Sequence, residues 1–255
     1  MYNAYTNCIK SFIDNNIETW TFKTHRDYTG ILEHVTEKYG REYLIEIKNR
    51  FNLIYKEHKT YLIELCHTND LYGKTLKSNF DNFTSCSPTN LRYILHSLLI
   101  LSYMKDSMLN NVNIIEIGGG YGGLCFFLHK LAKLFDININ TYSVFDLPYP
   151  LMLQKKYLEK LEINNVNYLD LDNIKNLNKN SFLISNYAFS EIAKDLQQKY
   201  TKYVLNPYTS HGFLVWNFID TYKFIDNKDI TIEKEYPLTD NNKNKYVRFR
   251  PITNA

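Results

Sequence analysis

The chain has 255 residues, 44% of them hydrophobic and 22% charged, which gives room for one large domain or one domain plus a modest appendage. Those proportions exclude wholesale disorder, collagen and fibrous repeats. Thirty Lys and Arg against 27 Asp and Glu leave a net charge of +3, too little for a chain whose main task is to neutralise a phosphate backbone.

No apolar run approaches the roughly 18 residues that a membrane span requires. The start, Met1-Tyr2-Asn3-Ala4-Tyr5-Thr6-Asn7, has neither a basic n-region nor an apolar h-region. The sequence therefore predicts a soluble, cytoplasmic protein with neither nucleic acid nor membrane as partner. Cys8, Cys66, Cys86 and Cys125 form no C-x-x-C pair, which argues against a zinc cage or disulfide framework and predicts reduced, mostly buried thiols.

Residues 1 to about 105 carry helical periodicity, for example Ile31, Val35, Tyr39, then Leu44, Ile47, Phe51, Ile54, Tyr55, Leu62 and Leu65. This N-terminal helical region, 1–105, is expected to lid a site and to build a homodimer. A turn-rich stretch, 68–86, leads to a helix start at Ser87-Pro88, where serine caps open amides and proline suits the first turn. Leu91, Ile94, Leu95, Leu98, Leu99 and Ser102 then predict one apolar stripe.

From 106 to 255 the pattern becomes short apolar runs, each ending in a polar or glycine turn and followed by a helical segment, as in a parallel sheet. Strands are expected at about 113–117, 141–145, 166–170, 181–185 and 212–218, with helices at about 122–135, 149–162 and 190–203. Ile230–Tyr236 and Tyr246–Arg250, joined by a polar turn, predict an antiparallel hairpin closing the sheet.

The strongest local signal is Asn113-Ile114-Ile115-Glu116-Ile117-Gly118-Gly119-Gly120-Tyr121-Gly122-Gly123, a buried strand entering a glycine turn that opens a helix. Gly118, Gly120 and Gly123 satisfy the G-x-G-x-x-G dinucleotide pattern, so spacing alone leaves NAD open. Three features tilt the choice toward S-adenosyl-L-methionine. Glu116 sits in the strand end, where a buried carboxylate needs a cationic or hydrogen-bonding partner, which a methionyl ammonium supplies. Asp146, ending Val144-Phe145-Asp146-Leu147-Pro148, suits ribose hydroxyls, although NAD enzymes use that position too. A helical region before the first strand and a hairpin after the fifth fit a class I methyltransferase better than a dehydrogenase.

Four blocks in order carry a family likeness: Ser87-Pro88-Thr89-Asn90-Leu91-Arg92-Tyr93, then Ile115–Leu124, then Phe145-Asp146-Leu147-Pro148, then Ile184-Ser185-Asn186-Tyr187-Ala188-Phe189-Ser190-Glu191. Over roughly residues 69 to 218 the chain resembles the sugar O-methyltransferases of the class I fold. The resemblance implies a Rossmann-like α/β sheet, mostly parallel with a C-terminal antiparallel hairpin. It also implies methyl transfer from S-adenosyl-L-methionine to the hydroxyl of a sugar or nucleotide-sugar substrate.

In an open parallel sheet, ligands gather at the carboxyl ends of the strands. Cofactor contacts are therefore expected from Glu116, Gly118, Gly119, Gly120, Tyr121, Asp146, Leu147, Ser185 and Asn186, with Asp170 and Asp172 toward the adenine. Two aspartates in a polar loop explain that pair nearly as well. Glu191 is the first choice for base or grip on the acceptor hydroxyl, though an acid at a helix start is also what the helix dipole favours. Tyr187 and Asn217 complete the catalytic candidates. Arg92 and His96, one helical turn apart, and Asp220 are candidates for substrate, Arg92 through a phosphate; a solvated arginine and a packing histidine are the alternative.

No motif implies a metal; Mg²⁺ is conceivable only if folding gathers Asp220, Glu191 and Asn217. His211 begins the fifth strand, at the wrong edge for a base. Asn206-Pro207-Tyr208 falls before the fifth strand and predicts a turn rather than a catalytic element. Lys245–Arg250 interleaves basic and aromatic residues as a half-exposed strand does.

Overall fold

The computed structural model describes residues 2–172, 174, 177–238 and 243–252. In chain order the elements are α1 (Tyr2–Phe12), α2 (Arg26–Thr29), α3 (Glu37–Arg50), α4 (Asn52–Asn69), β1 (Ser78–Asn79), β2 (Ser85–Cys86), α5 (Pro88–Asp106), β3 (Asn111–Ile117), α6 (Gly123–Leu131), β4 (Asn138–Phe145), α7 (Pro148–Lys160), β5 (Val166–Leu169), β6 (Ser181–Asn186), α8 (Ala188–Glu191), α9 (Lys194–Tyr200), α10 (Asn206–Tyr208), β7 (Thr209–Trp216), β8 (Lys228–Lys234) and β9 (Lys245–Pro251). The chain divides into two compact units. One comprises 1–110, 120–137 and 148–164; the other comprises 111–119, 138–147 and 165–255.

The first unit is helical. The Ser87 hydroxyl accepts from the Thr89 amide at 3.2 Å with Pro88 in the first turn, so α5 starts where the sequence places it. The single stripe expected on α5 is corrected: every residue from Pro88 to Leu101 is buried, polar ones included. A helix enclosed on all sides shows no amphipathic contrast. Asp70 meets the polar start of α5, accepting from the Ser87 amide and from the Asn90 side chain, both at 2.9 Å.

The second unit is built on a seven-stranded sheet of order β5-β4-β3-β6-β7-β9-β8, in which β5, β4, β3, β6 and β7 run parallel and β9 is antiparallel to both neighbours. This is the Rossmann-like α/β sheet that the sequence predicts, mostly parallel with an antiparallel pair at the end of the chain. The turn expected between β8 and β9 includes residues 239–242, which lie outside the described residues. One face of the sheet carries the unit's apolar core, with Ile115 and Ile117 of β3, Phe145 of β4, Leu183 of β6, and Leu214 and Trp216 of β7. Burying such side chains stabilises by about 1.5–3 kcal/mol each.

The continuous helix expected at 190–203 is instead broken. Ile192 adopts extended backbone between α8 and α9, and a π-helical turn, Thr201–Leu205, follows. The Gln197 side-chain amide spans the break by donating to the carbonyls of Phe189 and Ser190 at 2.8 and 3.2 Å. Asn206–Tyr208 forms a short helical turn entering β7. All four cysteines are buried and none is in a disulfide. Among the described residues no helix is long and apolar enough to cross a membrane.

Candidate functional site

Register places the candidate residues. Glu116 stands level with Val144 of β4 and Ile184 of β6, so period-two alternation puts Glu116, Gly118, Asp146 and Asn186 on one face of the sheet at its carboxyl edge. Ile115, Ile117 and Phe145 point to the other face, into the core. The pairing runs past the end of β3, because the Gly118 amide donates to the Phe145 carbonyl at 2.9 Å.

Glu116 is 1% exposed and accepts from the Tyr142 hydroxyl at 2.9 Å. Burial pushes its carboxyl up to about 8; the Tyr142 bond opposes that shift and the neighbouring Asp146 charge adds to it. The two acids therefore sense each other across the glycine turn. Asp146 is only partly buried, and its Oδ1 accepts from the Leu147 amide at 2.8 Å. Leu147 is 42% exposed.

The glycines have local reasons as well. Gly118 has φ +78°, and a Cβ there would lie 2.2 Å from the Ala188 Cβ, so α8 packs directly on the turn. Gly120, at φ +61°, has the tip of Leu32 where its own Cβ would be, at 2.9 Å.

Around the end of β6 a second group assembles. Tyr187 caps α8 at φ +66°, its amide donating to the Val215 carbonyl at 2.7 Å. The Ser190 hydroxyl donates to the Tyr187 carbonyl at 2.7 Å and accepts from the Asn217 amide at 3.0 Å. The Asn217 side chain in turn donates to the Glu191 carboxylate. Folding thus gathers Tyr187, Glu191 and Asn217, which the sequence names as catalytic candidates, at the ends of neighbouring strands.

Other candidates lie elsewhere. Ser185 alternates onto the core face, where its hydroxyl donates to the Ile117 carbonyl at 2.8 Å and accepts from the Phe189 amide at 3.0 Å. Asp170 and Asp172 are exposed and close on each other, the Asp172 amide bonding Asp170 Oδ1 at 3.0 Å. Asp220 is exposed. Among the described residues no group of three His, Cys, Asp or Glu side chains is placed to hold a metal. His211 sits near the start of β7, bonded to Ser210 at 2.9 Å, and burial with nearby Lys228 and Arg250 lowers its pKa.

Three side chains expected at the site are enclosed within the helical unit. Tyr121 is fully buried, accepts from the Asn69 side chain at 2.9 Å and lies under the Lys23 ammonium, 4.3 Å from the ring centre. Arg92 is 5% exposed, which removes the alternative of a solvated arginine. His96 is fully buried, edge-on to Tyr43 at 6.0 Å, and burial followed by the Arg92 charge pulls its pKa down to about 3.

One candidate escaped the sequence. Glu235, directly after β8, is fully buried and accepts from the Tyr187 hydroxyl at 2.5 Å. Its run of alternating residues marks only a hairpin strand; the sheet order alone brings it to the carboxyl edge.

No family model and no curated protein matches the sequence. Among solved structures the chain is similar to a candidate S-adenosyl-L-methionine-dependent methyltransferase of Methanococcus maripaludis, at 10% identity over 64% of this chain and 86% of that one, TM-score 0.46. It is similar to a Podospora anserina methyltransferase bound to S-adenosylhomocysteine, at 12% identity over 74% and 86%, TM-score 0.43. It is also similar to M. capricolum TrmK in complex with S-adenosylhomocysteine, at 14% identity over 60% and 68%, TM-score 0.40.

Proposed function

We propose that the protein is an S-adenosyl-L-methionine-dependent O-methyltransferase acting on a sugar hydroxyl. The observation that carries the cofactor assignment is the pair of acids, Glu116 and Asp146, on one face of adjacent parallel strands with Gly118 between them. The donor set fits the group. A buried acid whose proton is held up to about 8 is a seat that a cation would convert to a carboxylate. Asp146, partly exposed, offers acceptor oxygen to a ribose diol. When bound, S-adenosyl-L-methionine supplies an electrophilic methyl carbon on a sulfonium.

The chain's own part is then to hold an acceptor hydroxyl in line with that carbon, since orientation supplies much of the rate in such displacements. Glu191, exposed and bonded to Asn217, grips the acceptor through its carboxylate. The sugar assignment rests on the four sequence blocks that resemble sugar O-methyltransferases. Calorimetry tests the cofactor: S-adenosylhomocysteine is expected to bind and NADH is not, and the reverse result overturns the proposal. Transfer of labelled methyl to a panel of UDP- and dTDP-hexoses tests the acceptor.

A further inference from the structure

The grip by Glu191 leaves open where the acceptor proton goes, and Glu235 answers to that need. β8 is antiparallel to β9, which is antiparallel to β7, so the end of β8 shares a sheet edge with the carboxyl ends of β6 and β7. There Glu235 is 0% exposed, its amide bonds the Asn244 carbonyl at 3.0 Å, and its Oε1 holds the Tyr187 hydroxyl at 2.5 Å. A fully buried acid is costly to keep. Tyr187 carries a second cost, because a bulky residue at φ +66° is strained backbone that its surroundings must offset. The bonds to Val215, Ser190 and, through Ser190, Asn217 supply that restraint. Both features meet at Tyr187, whose hydroxyl is held by Glu235 and whose backbone is tied through Ser190 to Asn217.

We propose that Glu235 is a positioning residue which, acting through Tyr187, takes up the proton of the acceptor hydroxyl during methyl transfer. This rests on the function proposed above. The acceptor O–H bond breaks and its proton passes to Tyr187 Oη, while the Tyr187 proton passes to Glu235 Oε1. The acceptor oxygen bonds the methyl carbon, leaving the electron pair of the broken C–S bond on sulfur. A carboxylate and a sulfonium become a carboxylic acid and a thioether, and loss of both charges is favoured where water is excluded.

The test compares the unaltered chain with Glu235→Gln, Tyr187→Phe and the double variant. The readouts are near-ultraviolet difference absorption, S-adenosylhomocysteine calorimetry and labelled-methyl transfer to UDP- and dTDP-hexoses. A tyrosine donating to a carboxylate absorbs to the red, and that band is expected in the unaltered chain and missing from both single variants. S-adenosylhomocysteine affinity is expected to stay within about threefold while kcat falls at least ~100-fold. The double variant is expected to fall no further than either single one, because the pair acts as a unit. Gln still offers Tyr187 an acceptor oxygen but takes no proton, so a purely structural role leaves the kcat of Glu235→Gln near the unaltered value, and that result overturns the inference alone. So does a red-shifted band that survives Glu235→Gln. If Glu235→Gln loses its melting transition, Tyr187→Phe decides: undiminished kcat refutes the relay. An unaltered chain that binds no S-adenosylhomocysteine, or binds it and methylates no hexose, overturns the proposed function and the relay with it.

Discussion

Glu116 is a buried acid whose proton the fold holds, and the proposed cofactor would bring a cation to it. With its pKa held up to about 8, it carries a proton in roughly nine molecules of ten at pH 7. An ammonium placed beside it favours the carboxylate, so binding S-adenosylhomocysteine at pH 7 is expected to release close to one proton. Titrations in phosphate and in Tris will then differ in apparent enthalpy by nearly one buffer ionisation heat. Affinity is expected to rise as pH climbs from 6 to 8, by up to about tenfold per unit. Glu116→Gln abolishes both effects; an enthalpy independent of buffer in the unaltered chain refutes the cation seat. Replacement of Asp146 by Ala is expected to weaken S-adenosylhomocysteine by about 1–3 kcal/mol, roughly 5- to 150-fold, through lost hydroxyl bonds. An unchanged dissociation constant removes Asp146 from the ribose.

At the scale of elements, the glycine turn is fixed by what packs on it. Gly118→Ala combines a positive φ with a Cβ 2.2 Å from that of Ala188, and is expected to cost about 2–4 kcal/mol of stability. Ala188→Gly in the same chain relieves the clash but not the backbone strain, so part of the loss is recovered; full recovery in urea titrations would show that φ costs nothing there. The strand–glycine–helix sequence was legible because a run such as Ile114-Ile115-Glu116-Ile117 is buried on both faces and reads the same in any context. The capped start of α5 was legible too, since Ser87 and Pro88 act within one turn. The stripe on α5 misled because enclosure erases the contrast on which periodicity depends. Ser185 and Asn186 are neighbours in sequence, yet pleating sends one to the core face and the other to the Glu116 face, a distinction that needs the register with β3. Glu235 was invisible for a longer-range reason, because only the insertion of β9 between β7 and β8 carries the end of β8 to the edge where Tyr187 stands.

For the molecule as a whole, buried titratable groups set how stability follows pH. His96 is fully buried with its pKa drawn down to about 3, so the fold keeps it neutral; its contribution is intact above the unfolded value near 6.5 and is lost as pH falls toward 3. His129 is lowered as well, first by burial, and acts in the same direction. Glu116 works oppositely: its folded pKa is raised, so its contribution is full below the unfolded value near 4.5 and is lost as pH rises through about 8. Between pH 4.5 and 6.5 the two tendencies offset each other. Above 6.5 the Glu116 decline dominates, opposed in part by Lys23, whose pKa burial lowers to about 8 and which therefore adds stability as pH rises toward that value. Urea unfolding is therefore expected to show a net loss of roughly 1 kcal/mol between pH 6.5 and 8. Glu116→Gln flattens that limb and leaves the acid limb in place, whereas His96→Gln softens the acid limb and leaves the alkaline one. A chain whose stability is level from pH 6.5 to 8 carries Glu116 ionised in the fold, and the seat for a cation would then already be charged before any ligand arrives.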